Sequence, residues 1–470
     1  MIKFGTGGFR AIIAEDFTRE NLELISLALV RIIKRDMKQS LPVVIGYDRR
    51  FLSDLASKWM ACVFAAEGIK VNLIDYDAPT PLIMYEVMKE NAAYGMAVTA
   101  SHNPARYNGV KVFTSGGRDA TETVTNDIEA QIALISKSDI RSMEYSRAIA
   151  SGLITVINPQ NSYIDSILKI IDSEAIKNKN LKILLDPMYG VSKTTLQTIL
   201  LTCRCQVDVI HDRHDTLFGG RLPSPNSSTL YHLSQLVVQG GYDMGIATDG
   251  DADRIGLIDS SGTFIHPNDI LVLLYFYLHE FKGWKGDVVR NIATTHCLDR
   301  MAAAFGEKCH EVPVGFKHIS SKMLETDALI GGESSGGLTV RGHIQGKDGV
   351  YAGSLLVEMM SVIGKPLNEI LKGIHTKYGS FLMDEFDCLM TGERKLELSN
   401  LLFREKQIPE FPWAIDKISY LDGCKIYFKD GGWVICRFSG TEPVLRIFSE
   451  MPSLEDAKSV INTFRSFLQL

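Results

Sequence analysis

The segment Thr248-Asp249-Gly250-Asp251-Ala252-Asp253-Arg254 limits most narrowly what this chain can become. An apolar run, Met244 to Ala247, leads into it and another, Ile255 to Ile258, leads out, so an acidic loop is set between two strands. Alternation places Asp249, Asp251 and Asp253 on one side of an extended segment, and small Gly250 and Ala252 let the backbone curl. Three oxygens can then converge on one hard cation, at about 2.0–2.1 Å if it is Mg²⁺. Unpaired, the three charges would repel, so a cation is expected. A calcium-binding EF-hand loop needs Gly at its sixth place and Glu at its twelfth, where Arg254 and Ser260 stand instead. A solvated acidic turn is the other reading, and the apolar strands on both sides disfavour it.

Three stretches repeat the order apolar run, turn, amphipathic helix, strand, which is the pattern of α/β domains. Pro42 to Asp48 reads as a buried strand, Leu55, Trp59, Val63 and Ala66 recur at helical spacing until Gly68, and Val71 to Asp75 returns as a strand. A second unit runs from Lys182–Asp186 to Val207–Ile210. A third starts from the apolar run Ile270 to Leu278, read as strand-length, and continues at Asp287 to Arg290. After that the pattern changes: Lys425 to Phe428, Gly432 to Phe438 and Val444 to Phe448 look like short antiparallel strands before a helix from Leu454 to Leu468. Boundaries near 150, 258 and 375 give domains 1–150, 151–258, 259–375 and 376–470. A chain of 470 residues, 45% hydrophobic, is long enough for several cores.

The net charge of −6 argues against a nucleic-acid partner, which needs a basic stripe. The apolar run at 270–278 is about half the ~20 residues a membrane span requires, and the N-terminus has no apolar signal region, so a cytoplasmic protein is expected. The eight cysteines are scattered and read as reduced. Cys203 and Cys205, two apart, are expected on one face of a strand rather than as metal ligands.

Four further segments carry chemistry. In Thr99 to Pro104, set after the strand Gly95 to Val98, Ser101 has two readings, a nucleophile assisted by His102 and Lys111, or the cap of a turn before Pro104. Arg437-Phe438-Ser439-Gly440-Thr441, followed by Arg446, has the composition of a phosphate clamp, although Ser-Gly-Thr turns also merely cap strands. Gly331 to Gly337 presents Glu333 and serine hydroxyls suited to sugar hydroxyls. Its match to G-x-S-x-G at Ser334 lacks the following helix, because Leu338-Thr339-Val340 reads as strand, so a serine hydrolase is disfavoured. Gly5 to Arg10 lacks the final glycine and the preceding strand of a dinucleotide loop, and suits phosphate contact through Arg10, or a plain turn.

In this order, FGTGGFRA, TASHNPARYNGVK, TDGDADR, GGESSGG and RFSGTEPVLR resemble the α-D-phosphohexomutase superfamily over nearly the whole chain. The resemblance implies four domains around a central cleft: three related mixed-sheet α/β domains and a C-terminal α+β domain of the TATA-box-binding-protein-like type. It implies interconversion of hexose 1-phosphate and hexose 6-phosphate through phosphoserine Ser101, with Mg²⁺ held by Asp249, Asp251 and Asp253 beside Ser101. Glucose 1,6-bisphosphate is the implied intermediate and activator. His102, Lys111, Arg10 and Arg254 fall on catalytic positions, Lys111 as general acid/base. Glu333 and Ser335 fall on sugar-reading positions. Lys317 and His318 fall on the loop before them, and Arg437, Ser439, Gly440, Thr441 and Arg446 on the loop for the non-transferring phosphate. The partner implied is a phosphosugar, and a monomer or dimer is expected. Gly7 and Phe9 replace the Asp and Trp common in relatives, and the form of the sugar loop favours glucose over mannose. Phosphoglucosamine mutase and a non-catalytic phosphosugar-binding protein are the alternatives.

Overall fold

The computed structural model describes residues 2–5, 7–429, 431–439 and 444–470. The chain divides into two units, Met1–Ile270 with Ser335–Asn368, and Leu271–Ser334 with Glu369–Leu470. Four sheets organise it, three in α/β domains and one antiparallel in the C-terminal domain.

In the first unit, Val43–Tyr47, Val71–Asp77 and Tyr94–Val98 form a parallel core. Tyr107–Thr114 and Gly8–Ile12 extend it antiparallel. Every residue of Val43–Tyr47 and Tyr94–Val98 is buried, as continuous apolar runs covered on both faces must be. Helix Arg19–Arg35 packs its buried stripe there. Its start is capped by Thr18, which accepts from Asn21 N, and its end carries Lys34 and Arg35, so both termini suit the helix dipole.

The second sheet runs Gln206–Val209, Lys182–Asp186, Met244–Thr248, Ile255–Asp259, Phe264–Ile265. Met244–Thr248 and Ile255–Asp259 are antiparallel, with Thr248 opposite Ile255, so the acidic loop is the tip of a hairpin. Both loops thus leave the carboxyl ends of buried strands, Tyr94–Val98 for Ser101 and Met244–Thr248 for the aspartates.

In the second unit, Val288–Asn291 pairs parallel with Cys309–Val312 and with Ile330–Gly332. Helix Phe316–Thr326 covers them through Phe316, Ile319 and Met323. The C-terminal sheet is ordered Leu382–Leu389, Val444–Met451, Trp433–Phe438, Cys424–Phe428, Ile415–Ser419. Helix Leu454–Phe467 packs Val460 and Phe464 against it, with Ser453 capping. The two edge strands were not foreseen, because half their side chains are exposed and their apolar pattern is weak.

Lys425, fully buried on Cys424–Phe428, donates to Ile292 O at 2.6 Å and to Glu311 Oε2 at 2.8 Å. Arg290 shares Glu311 at 2.6 Å and holds Asp299 through two bonds, 2.7 and 2.9 Å.

Two sequence expectations need correction. Ile270 to Leu278 is not a strand but the middle of helix Pro267–Glu280. All nine of its residues except Phe276 are buried, and a helix buried all round loses the periodicity that would have marked it. Cys203 and Cys205 do not share a strand face. Cys203 closes helix Lys193–Thr202, Arg204 turns through a left-handed φ of 64°, and Cys205 precedes the strand Gln206–Val209. Both are buried, and all eight cysteines are free thiols. Among the described residues no helix is long and apolar enough to cross a membrane.

Candidate active site

Ser101 lies in the first unit, fully buried, with a left-handed φ of 51°. Its hydroxyl donates to Asp249 Oδ2 at 2.7 Å, and His102 Nδ1 stands 3.4 Å away. The acidic loop approaches so closely that a Cβ on Gly250 would lie 2.8 Å from Ser101 O, which is why glycine stands there.

Asp249 Oδ1 accepts the backbone N–H groups of Asp253 and Arg254 at 3.1 and 3.0 Å. Asp251 Oδ2 accepts from Thr80 Oγ1 at 2.7 Å and Lys111 Nζ at 2.6 Å. Asp253 Oδ2 accepts from Lys111 at 2.6 Å and pairs with Lys347 at 3.0 Å. The three carboxylates are buried and offer ligand atoms within 4.8 Å of one another. Asp251 Oδ1 and Asp253 Oδ1 are buried with no hydrogen-bond partner in the protein, and Arg254 Nε lies 3.9 Å from Asp253 Oδ1. Burial, Asp251 and Asp253 push Asp249 well above the carboxylate range, and a dication among the three would relieve that repulsion. A set of hard, buried oxygens, two of them without a hydrogen bond, therefore fits Mg²⁺.

Burial alone would lower Lys111, but Asp251 and Asp253 outweigh it and hold the amine above the ordinary lysine value, so it is charged. His102 is held neutral by burial and by Arg254 and Arg10. Arg10 donates to Asn103 Oδ1 at 2.6 Å. Gly7 makes room for it, since a Cβ there would lie 2.6 Å from Arg10 Nη2. Arg10 Nε and Arg254 Nε have no hydrogen-bond partner in the protein.

In the second unit, Glu333 Oε1 accepts from Asn291 Nδ2 at 3.1 Å and Gly315 N at 2.9 Å. Lys317 and His318 open helix Phe316–Thr326. Arg437 and Arg446 are direct partners on adjacent antiparallel strands, so two guanidinium groups share one face, where like charges favour an anion. Arg437 Nη2 lies 3.3 Å from Asp422 Oδ2, which also accepts from Val314 N, and Arg446 Nε lies 3.6 Å from Asp387. The Ser439 N–H donates to Val444 O.

The structure thus gathers Ser101, His102, Lys111, Arg10, Arg254 and the three aspartates in the first unit. Glu333, Lys317, His318, Arg437, Ser439 and Arg446 lie in the second. Ser335 is exposed and belongs to the first unit, where neighbouring Gly336 O accepts from Ile255 N at 3.0 Å. Gly440 and Thr441 lie outside the described residues, as does Thr6 of the N-terminal motif. Sequence reasoning missed Asp48, Arg50, Thr80, Lys347, Asn291 and Asp422. Asp48 and Arg50 had a signal, because charges directly after a fully buried strand need partners. Lys347 had none.

Four family descriptions match: phosphoglucomutase/phosphomannomutase alpha/beta/alpha domain I over residues 1–139, domain II over 161–262, domain III over 266–378, and the C-terminal domain over 403–466. A curated "Phosphoglucomutase/phosphomannomutase" of Thermococcus kodakarensis is 32% identical over 459 residues, 97% of this chain and 96% of that protein. A "Probable phosphoglucosamine mutase" of Methanothermobacter thermautotrophicus is 29% identical, over 99% of this chain and 97% of that protein. The crystal structure of a "putative phosphomannomutase" from Thermus thermophilus superposes with a TM-score of 0.87 at 29% identity, covering 100% of this chain and 99% of that one. The chain therefore belongs to the phosphoglucomutase/phosphomannomutase family, within the α-D-phosphohexomutase superfamily.

Proposed function

We propose that this enzyme interconverts hexose 1-phosphate and hexose 6-phosphate, with Ser101 as the carrier of the travelling phosphoryl group. The observation that carries the reading is the placement of Ser101 Oγ 2.7 Å from Asp249, beside buried carboxylate oxygens that accept no hydrogen bond from the protein. Asp249, Asp251 and Asp253 would hold Mg²⁺, which when bound neutralises charge on the phosphoryl oxygens.

Phosphoryl transfer needs positioning and charge neutralisation more than covalent assistance. The bond from phosphorus to Ser101 Oγ breaks, a bond to the free sugar hydroxyl forms, and the proton that hydroxyl loses is balanced by one gained at Ser101 Oγ. The charged Lys111 is suited to give Oγ one of its own protons and to take up the sugar hydroxyl's proton in exchange, so that it ends each half charged as it began. The product of the first half is a hexose 1,6-bisphosphate, whose other phosphate returns to Ser101 after the sugar has turned. Arg10 and Arg254 suit the phosphoryl oxygens. Arg437, Ser439 and Arg446, with Gly440 and Thr441, read the phosphate that does not move, and Glu333 and Ser335 read ring hydroxyls in either orientation. Lys317 and His318 assist on the substrate side.

Glucose is the favoured sugar and mannose the second. The names of relatives such as the Methanothermobacter protein favour glucosamine as a further reading. Steady-state kinetics on glucose, mannose and glucosamine 1-phosphates, with glucose 1,6-bisphosphate as activator, decide among them. The largest kcat/KM is expected for glucose 1-phosphate, and turnover of none of the three would refute the assignment.

A further inference from the structure

We infer that Arg50, together with Asp48 and Thr99, is the positioning brace of the Ser101 loop and not a phosphate ligand. The inference rests on the reading of Ser101 as phosphoryl carrier, and it adds residues which that reading did not use.

A serine at φ 51° occupies a region that residues other than glycine rarely visit, and such a conformation persists only where its surroundings over-determine it. Two chains of hydrogen bonds do so here. The Ser101 N–H donates to Thr99 Oγ1 at 2.8 Å, and the Thr99 hydroxyl donates to Asp48 Oδ2 at 2.6 Å. Asp48 is fixed in turn, its Oδ1 accepting from Ser53 Oγ at 3.0 Å and from Arg50 N at 2.9 Å.

The second chain is the Arg50 side chain. Nη2 donates to Ser101 O and Asn103 O, both at 2.6 Å, and Nη1 to Pro104 O at 3.0 Å and Tyr107 O at 2.9 Å. Four carbonyls of one loop converge on one guanidinium. It is 2% exposed and lies 4.9 Å from the centre of the Phe218 ring, while Nε stands 3.4 Å from Asp48 Oδ2.

A planar fork of five N–H groups meets this demand, whereas the three donors of a lysine ammonium cannot. The same geometry removes Arg50 from substrate binding, because its four terminal N–H groups are used on loop carbonyls and its Nε, which makes no hydrogen bond, is buried against Asp48. Arg10 contrasts with it, donating from Nη1 to a side chain, Asn103 Oδ1. Asp48 and Arg50 therefore act through the loop, by setting where Ser101 Oγ stands relative to Asp249.

Three variants test this: Thr99→Val, which keeps shape and removes the hydroxyl, Thr99→Ser, which restores it, and Arg50→Lys. Each is measured for kcat, KM and amide hydrogen exchange over residues 99–108. In Thr99→Val and Arg50→Lys, kcat is expected to fall about 100-fold, the cost of a small misplacement of the reacting group. KM should stay within about twofold and exchange in the loop should accelerate. Thr99→Ser should return all three readings toward wild type. Unchanged kcat and exchange in Arg50→Lys and Thr99→Val would overturn the brace, as would a raised KM at unchanged kcat in Arg50→Lys, which would make Arg50 a phosphate ligand. If Arg50→Lys does not fold, Thr99→Val and Thr99→Ser decide. A wild-type chain that turns over no hexose phosphate would refute the functional reading alone, and hydrogen exchange would then decide the brace.

Discussion

The groups around Ser101 and those around Glu333 and Arg437 are organised in opposite ways. Ser101, Asp249, Asp251 and Asp253 are at most 2% exposed, and each is fixed by at least two hydrogen bonds or ion pairs from different segments. Glu333 accepts its hydrogen bonds at Oε1, and Arg437 meets the Asp422 carboxylate at 3.3 Å. A group that passes phosphoryl must sit within a fraction of an ångström of its target, so rigidity is useful there. Groups that read a sugar phosphate in two orientations serve better when held less tightly. On the proposed function the first region would serve turnover and the second recognition, and both halves of that division can be broken.

The largest effect is expected at Asp251. Asp251→Asn weakens the cation site and half of the Lys111 clamp, and kcat should fall about 10²–10³-fold with a raised Mg²⁺ requirement. Initial rates across a Mg²⁺ titration check it, and a kcat within tenfold of wild type would break the comparison. A smaller effect of another kind is expected from Arg437→Ala. Loss of one phosphate contact should raise KM about tenfold while kcat changes little. An equal fall in kcat with KM unchanged would move Arg437 into the region of turnover.

The smallest effect sharpens the contrast from outside both regions, because buried charge also occurs where no chemistry is assigned. Lys425 is pulled down to about 7 by burial and by Arg290, which competes with it for Glu311, and Glu311 is held down at about 2. Between pH 7 and the ordinary lysine value of about 10.4, unfolded Lys425 binds a proton that folded Lys425 does not, so stability rises with pH in that window. Relative to Lys425→Met, the wild-type Tm should gain on the order of 2–4 °C across it, read by differential scanning calorimetry. A flat difference would show that Lys425 keeps its proton.

The sequence carried the loops better than their supports. The Asp249, Asp251, Asp253 alternation was legible because three spaced acids have few other uses between apolar strands, whereas Ser101 on its own segment stayed open between a nucleophile and the cap of a turn. Glu333 and Arg437 needed the combination of motifs. Asp48 and Arg50 signalled only that they need partners, and Lys347 and Asn291 not even that, since a support is defined by what it touches in space, here carbonyls some 50 residues away in the case of Arg50. The helix Pro267–Glu280 was misread for a related reason: burial on every side erases the period that distinguishes a helix from a strand.

The most direct measurement is on the Ser101 peptide. Purified chain is incubated with glucose 1,6-bisphosphate and Mg²⁺, digested, and compared with the Ser101→Ala variant by mass spectrometry. An added mass of about 80 Da on the peptide containing Ser101 is expected, lost when glucose 1-phosphate is then supplied in excess, and absent from the variant, whose turnover should drop at least about 10⁴-fold. Full mutase turnover in Ser101→Ala, or an active wild-type enzyme that never carries phosphate on that peptide, would contradict the account.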